Sequence, residues 1–178
     1  SRKTAAELEA LDNEVDNNTR AGLRIETCGD PAVTSNRLYN NHLHGVHILN
    51  AGKGTLTTNL ISENKDTGVN IETVGEGTLV KNKIHEGKDL GVLASKGGGG
   101  VFEENECWGS GQAEFRLEDS AEPSLVGNTI RNGLGCGVEA NAGCKGNISD
   151  NDIFGHAVHG IAIRTGAVPL VSCNDIHD

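Results

Sequence analysis

Counting forward in steps of 23 from Asn13 lands on Asn36, Asn59, Asn82, Asn105, Asn128, Asn151 and Asn174, eight asparagines without a miss. A fixed period of this length marks architectures in which each repeat buries its apolar face only against its neighbours. The near-duplicate stretches "GKGTLTTNLISENKDTGV" (52–69) and "GEGTLVKNKIHEGKDLGV" (75–92) keep the same register. Glycine follows the period at Gly22, Gly45, Gly68, Gly91, Gly137 and Gly160, with Glu114 as the exception. No insertion interrupts the array, so the 178 residues hold about 7.7 repeats. They read as one domain, 1–178, forming a segment of a longer array.

The apolar residues also repeat. Val46, Ile48, Leu56 and Ile61 become Val69, Ile71, Leu79 and Ile84, and the same four places stay apolar from Leu23 to Ile176. Inside a repeat the spacing is two, eight and five, which is the alternation of short strands and lacks the 3.6-residue run of a helix. Short strands joined by turns at a constant period, without a hairpin signal, can pair only with their equivalents one repeat later. The expected fold is all-β, a right-handed single-stranded parallel β-helix rising about 4.8 Å per coil.

A buried side-chain amide at each turn would exchange N–H to C=O bonds with its neighbours one coil above and below, which explains the asparagines. The glycines read as turn residues needing positive φ or close backbone approach. Glu114 is then either strained or locally accommodated. "TAAELEAL" at 4–11 carries a capping-box pattern for a helix, yet Ala10 fits a core phase. A partial first coil over residues 1–11 is the preferred expectation, with a helical cap as the alternative. Uncapped ends would expose strand edges and apolar cross-section, so end-to-end self-association is also expected.

Composition narrows the function. A net charge of −10 disfavours nucleic acid, and no apolar run is long enough to cross a membrane. Cys28, Cys107, Cys136, Cys144 and Cys173 fall at five different phases of the repeat, so they read as free thiols in a reducing cytoplasmic or nuclear setting.

Chemistry would sit on outward columns. One column contains Glu26, Glu72 and Glu118 at every second coil, roughly 9.6 Å apart, near the upper end for two carboxylates acting through a water. It is the candidate catalytic face, set against a solvated strand face of alternating charge. "HLHGVH" groups His42, His44 and His47, and "HAVH" groups His156 and His159 about five coils away. Without a recurring acidic or Cys ligand these read as surface turn histidines, so neither a metal nor a cofactor is expected. A further column, Tyr39, Ser62, His85, Trp108, Arg131, Phe154 and His177, gathers aromatic and Arg side chains. Tyr39, His85, Trp108, Arg131 and Phe154 are the candidate binding residues, or else a ladder stacked for stability.

Repeats such as "GVNIETVGEGTLVKNKIHEGKDLGV" and "GIAIRTGAVPLVSCNDIHD" resemble the 23-residue β-helix repeats of the F-box only protein family. The shared pattern is Gly-apolar-x-apolar, then Gly-x-Gly or Pro, x-apolar-x-x-Asn-x-Ile and an aromatic or His. That resemblance implies a substrate-recognition module of a ubiquitin ligase, without catalytic residues in the β-helix. Copper-site maturation proteins and polysaccharide epimerases carry similar repeats. The first expectation is therefore a non-enzymatic module that binds a protein partner. The alternative is a carbohydrate-active lyase, epimerase or hydrolase, or a carbohydrate-binding module.

Overall fold

In the computed structural model, which describes residues 9–178, strand pairing is parallel and joins residues 23 apart, as in Leu79 with Phe102 and Ile84 with Cys107. Three strands per coil build three sheets. The first sheet runs from Glu9–Leu11 through Glu76–Val80 to Leu170–Ser172. The second runs from Glu14–Asp16 through Lys83–His85 to Asp175–His177. The third runs from Leu23–Glu26 through Val69–Ile71 and Leu90–Ala94 to Ile161–Ile163. Glu9–Leu11 pairs with Ala32–Thr34, so the partial first coil holds from Glu9 onward. The part of the helical-cap alternative on residues 1–8 lies outside the described residues.

The repeating apolar side chains form one core along the axis, with Leu56, Leu79, Phe102 and Leu125 stacked and fully buried. Phe102 and Phe115 meet edge to face with centroids 5.5 Å apart. At the C-terminal coil Ile163, Val171 and Ile176 remain exposed.

Each ladder asparagine works as a four-way connector. Asn82 donates its Nδ2–H to Leu56 O at 2.9 Å and to Asn105 Oδ1 at 3.0 Å. Its Oδ1 accepts from Asn59 N and Asn59 Nδ2, both at 2.9 Å. The amide is thereby buried with its hydrogen-bonding capacity used, and an unpaired buried polar group would cost about 1–3 kcal/mol.

The glycine ladder acts through space rather than through turn conformation. Gly45 and Gly68 are not among the positive-φ residues, but a Cβ on Gly45 would fall 2.5 Å from Ile61 Cγ2 and 2.8 Å from Gly68 O. The left-handed corners are instead occupied largely by other residues, such as Asn40, Asn50, Lys81 and Glu104. The positive-φ side of the expectation is corrected and its alternative, close backbone approach, holds: adjacent coils come too near there for a side chain.

A second ladder runs through Asn18, Asn41 and Asn64, with Asn41 N donating to Asn64 Oδ1 at 3.0 Å. Further along, other residues take over its duties. His156 Nδ1 accepts from Gly133 N at 3.2 Å, and its Nε2–H donates to Ile130 O at 3.0 Å, as an asparagine would. Glu114 Oε1 accepts from Ser110 N at 2.8 Å while Oε2 accepts from Ser110 Oγ at 2.7 Å. Its carboxylate fills the space left by the missing side chain of Gly133, whose added Cβ would sit 2.8 Å from Glu114 Oε1. Glu114 is also absent from the positive-φ residues, so the position is accommodated rather than strained.

Candidate functional site

The outward side chains of the third sheet enclose a groove of about 380 Å³ that crosses several coils along the solenoid axis. Asn70 and Leu93 lie on successive strands, with Arg116 on the next and Glu72 and Ser95 on the neighbouring outward column. Alternation in each strand sends Val69, Ile71, Val92 and Ala94 to the core and their sequence neighbours to this face. A second hollow of about 300 Å³, lined by Arg20, Arg24, Leu43 and His47, adjoins it and shares His44.

Two of the candidate acids, Glu72 and Glu118, line the groove, and Glu26 does not. Glu72 accepts from Lys96 Nζ at 2.5 Å and contacts His47 Nε2 at 3.0 Å. The Lys96 bond, with help from His47, holds its carboxyl below the usual range despite burial. Glu26 is likewise lowered, chiefly by the 2.7 Å bond from Arg24. Neither is therefore a ready proton donor. His47, with a carboxylate on one ring nitrogen, has instead the arrangement of an oriented acid–base group.

His44 and His47 are not surface turn residues, which corrects the sequence expectation. Their side chains are only 12% and 14% exposed, and their rings meet edge to face at 5.0 Å. Burial lowers the His44 pKa. Asn70 Nδ2 donates to His44 Nε2 at 3.3 Å, so the His44 proton resides on Nδ1. That N–H is 3.6 Å from Asp66 Oδ2, too far to bond. His44 Nδ1 and Asn70 Oδ1 are both buried without a partner among the described residues. Both atoms are shielded from solvent.

Other cations on this face are already engaged. Arg116 Nε donates to Glu139 at 2.7 Å, and Arg164 binds the other oxygen of the same carboxylate. Burial raises the Glu139 pKa, but the bonds from Arg164 and Arg116 outweigh it and the net change is downward.

A wider groove of about 580 Å³ crosses the first sheet between Asp30, Lys53, Glu76 and Glu122. Its Lys53–Glu76 pair is 2.9 Å long and well exposed, and it holds no unpartnered buried side-chain atom among the described residues. The third-sheet groove is therefore taken as the candidate site.

The second-sheet column is half-buried and internally stacked. His85 lies parallel to Trp108 with ring centroids 4.2 Å apart, and the Arg131 guanidinium covers the indole at 4.7 Å. Glu106 holds Arg131 at 2.5 Å. Phe154 stacks on His177 at 5.0 Å, and Arg37 sits 5.3 Å from the Tyr39 ring. Among the described residues a three-ligand cluster occurs only at Asp152, Asp175 and His177, which are exposed. Sequence reading missed Asp66, Asn70 and Asp89, and also the second asparagine ladder. Stepping by 23 from Asn18 reveals that ladder and from Asp66 reaches Asp89, whereas Asn70 has His47 and Leu93 as its equivalents.

Fold and groove together define a parallel β-solenoid with a lateral cleft. The family described as "Right handed beta helix region" matches residues 21–176, and the chain belongs to it. No curated protein sequence matches the chain. Among solved structures it is similar to the Azotobacter vinelandii mannuronan C-5 epimerase AlgE4 A-module, at 17% identity and TM-score 0.81, covering 96% of this chain and 54% of that one. It is also similar to the periplasmic alginate epimerase AlgG, at 14% identity and TM-score 0.83, covering 92% and 43%. Pectate lyase Pel9A follows at 14% identity and TM-score 0.70, covering 93% and 51%. The chain thus spans about half the length of these proteins, and at such identities the likeness establishes the fold.

Proposed function

We propose that the chain is a carbohydrate-binding β-helix module whose third-sheet cleft holds a polysaccharide, with His47 and Glu72 as the pair placed to move a proton. The observation carrying this reading is the third-sheet groove, lined by polar side chains apart from Leu90 and Leu93, with His47 held against its Glu72 at 3.0 Å. Sugar hydroxyls are donors and acceptors at once, so a lining of mixed polar groups suits them. A cleft running along the axis suits an extended polymer, and the carbohydrate-active neighbours support the same reading over protein recognition.

The F-box resemblance favoured a protein partner on the column of Tyr39, His85, Trp108, Arg131 and Phe154. Trp108 already spends its two faces on His85 and Arg131, so the column serves better as a stabilising ladder. The test is calorimetric titration with neutral, amino and uronate oligosaccharides, followed by turnover assays on any that bind. Leu93→Arg, which lays a long side chain across the groove, should weaken binding about tenfold, equal to about 1.4 kcal/mol, while His47→Gln abolishes any turnover. Absence of binding by every saccharide class, or binding indifferent to Leu93→Arg, would sink the proposal.

A further inference from the structure

The second ladder ends on a residue unlike those that begin it. Its column runs Asn18, Asn41, Asn64, Gly87, Ser110, Gly133 and His156. Between asparagines the rung is a neutral amide: Asn41 N donates to Asn64 Oδ1 at 3.0 Å, and Asn64 Nδ2 donates to Leu38 O at 3.1 Å. His156 makes the same two bonds with one ring, to Gly133 N at 3.2 Å and Ile130 O at 3.0 Å. A carbonyl only accepts, so the Nε2 proton is fixed, and Nδ1 can accept from Gly133 only while the imidazole is neutral. A proton added at Nδ1 would meet the Gly133 N–H, donor against donor. An amide rung is blind to pH, whereas an imidazole changes charge between about pH 5 and 8.

Several titratable groups face this ring. Glu114 Oε1 and His156 Nδ1 lie 2.8 Å and 2.9 Å from the point where a Cβ on Gly133 would stand, and Arg131, held by Glu106, acts on Glu114. His159, His177 and Asp178 line with His156 a hollow of about 290 Å³, and His177 is bonded to Asp152 at 3.0 Å. Burial lowers the His156 pKa from the ordinary 6.5, against the raising influence of the Ile130 bond. With the folded value below the unfolded one, the ring's contribution is whole above about pH 6.5 and is lost as pH falls through the folded value. The corner at Gly133 leads into Cys136–Ala140, whose Glu139 holds Arg116 of the cleft wall.

We propose that His156 is an acid-released latch: neutral, it fastens the Gly133 corner to the next coil, and protonated, it lets go of the Gly133 N–H and loosens the entry to Cys136–Ala140.

The experiment is native-state amide hydrogen exchange read by NMR, with protection corrected for the intrinsic pH dependence of exchange. Between about pH 7.5 and pH 5 the Gly133 amide should lose about tenfold in protection relative to the Asn41 amide, the equivalent of about one hydrogen bond. His156→Asn installs the residue that the column carries at Asn41 and Asn64, and it should keep the Gly133 protection while removing its pH dependence. Glu114→Gln should retain the acid step, which assigns it to the ring rather than to the neighbouring carboxyl. Ring nitrogen shifts of the unaltered chain supply a reading that needs no variant: one N–H, on Nε2, at about pH 7.5 and two at about pH 5. A Gly133 protection that stays flat with pH overturns the proposal. So does the same step in His156→Asn, its loss in Glu114→Gln, or a neutral ring carrying its proton on Nδ1.

Discussion

Replacing Glu114 with Gln removes a charge that the fold tolerates only at a cost. The side chain is fully buried, and burial raises its pKa from the ordinary 4.5 to about 7, against the lowering influence of the two Ser110 bonds and of Arg131. Nearby Cys107 does not compensate, since its thiol is pushed well up by burial. Because the folded pKa lies above the unfolded one, the native state holds the proton more tightly. Stability from this group is fully present below about pH 4.5 and is lost as pH rises through about 7. A rise from 4.5 to about 7, at about 1.4 kcal/mol for each pH unit, amounts to about 3 kcal/mol. Gln keeps the geometry, since its carbonyl can accept from Ser110 N and its amide can donate to Ser110 Oγ. Urea melts of wild type and variant at about pH 4.5 and pH 8 measure the difference, which cancels the other titrating groups. The variant should gain about 3 kcal/mol on the wild type between those pH values. A stability difference that stays flat with pH would refute the reasoning and place the ionised carboxylate in a solvated setting.

Three further substitutions probe the coil itself. Asn82→Ala removes the acceptor of Asn59 N and the donor to Leu56 O, and urea melts should show a loss of about 3 kcal/mol where the exposed Lys83→Ala costs under about 0.5 kcal/mol. Gly68→Ala would bring a Cβ within 2.6 Å of Gly91 O and 2.7 Å of Ile84 Cγ2, so thermal unfolding should report a loss of about 2–3 kcal/mol from overpacking. Val74, exposed and held at φ 53°, occupies a corner where other coils place Gly97, Gly143 and Gly166. Val74→Asn should raise the denaturation midpoint by the equivalent of about 1 kcal/mol, by relieving the strain of a β-branched residue in the left-handed region.

The sequence by itself determined the period, the parallel pairing of strands one repeat apart, the core positions and the asparagine ladder. It could do so because each residue's partner lies 23 positions away, so long-range contacts repeat as plainly as local ones. The same logic made the second ladder and the role of Glu114 readable in principle, from the columns through Asn18 and Gly133. Only the tertiary structure decided how the side chains between the core positions are spent. His47 reaches Glu72 diagonally, 25 residues on, and Trp108 loses both faces to its neighbours in the stack. Glu26 faces solvent with Arg24 while Glu72, of the same column, sinks between Lys96 and His47. These choices depend on rotamers and on how the coil corners fold around the third sheet. The energies that set them are small against those of the core. The repeat therefore specifies the scaffold strongly, while the cleft depends on single residues that break its monotony.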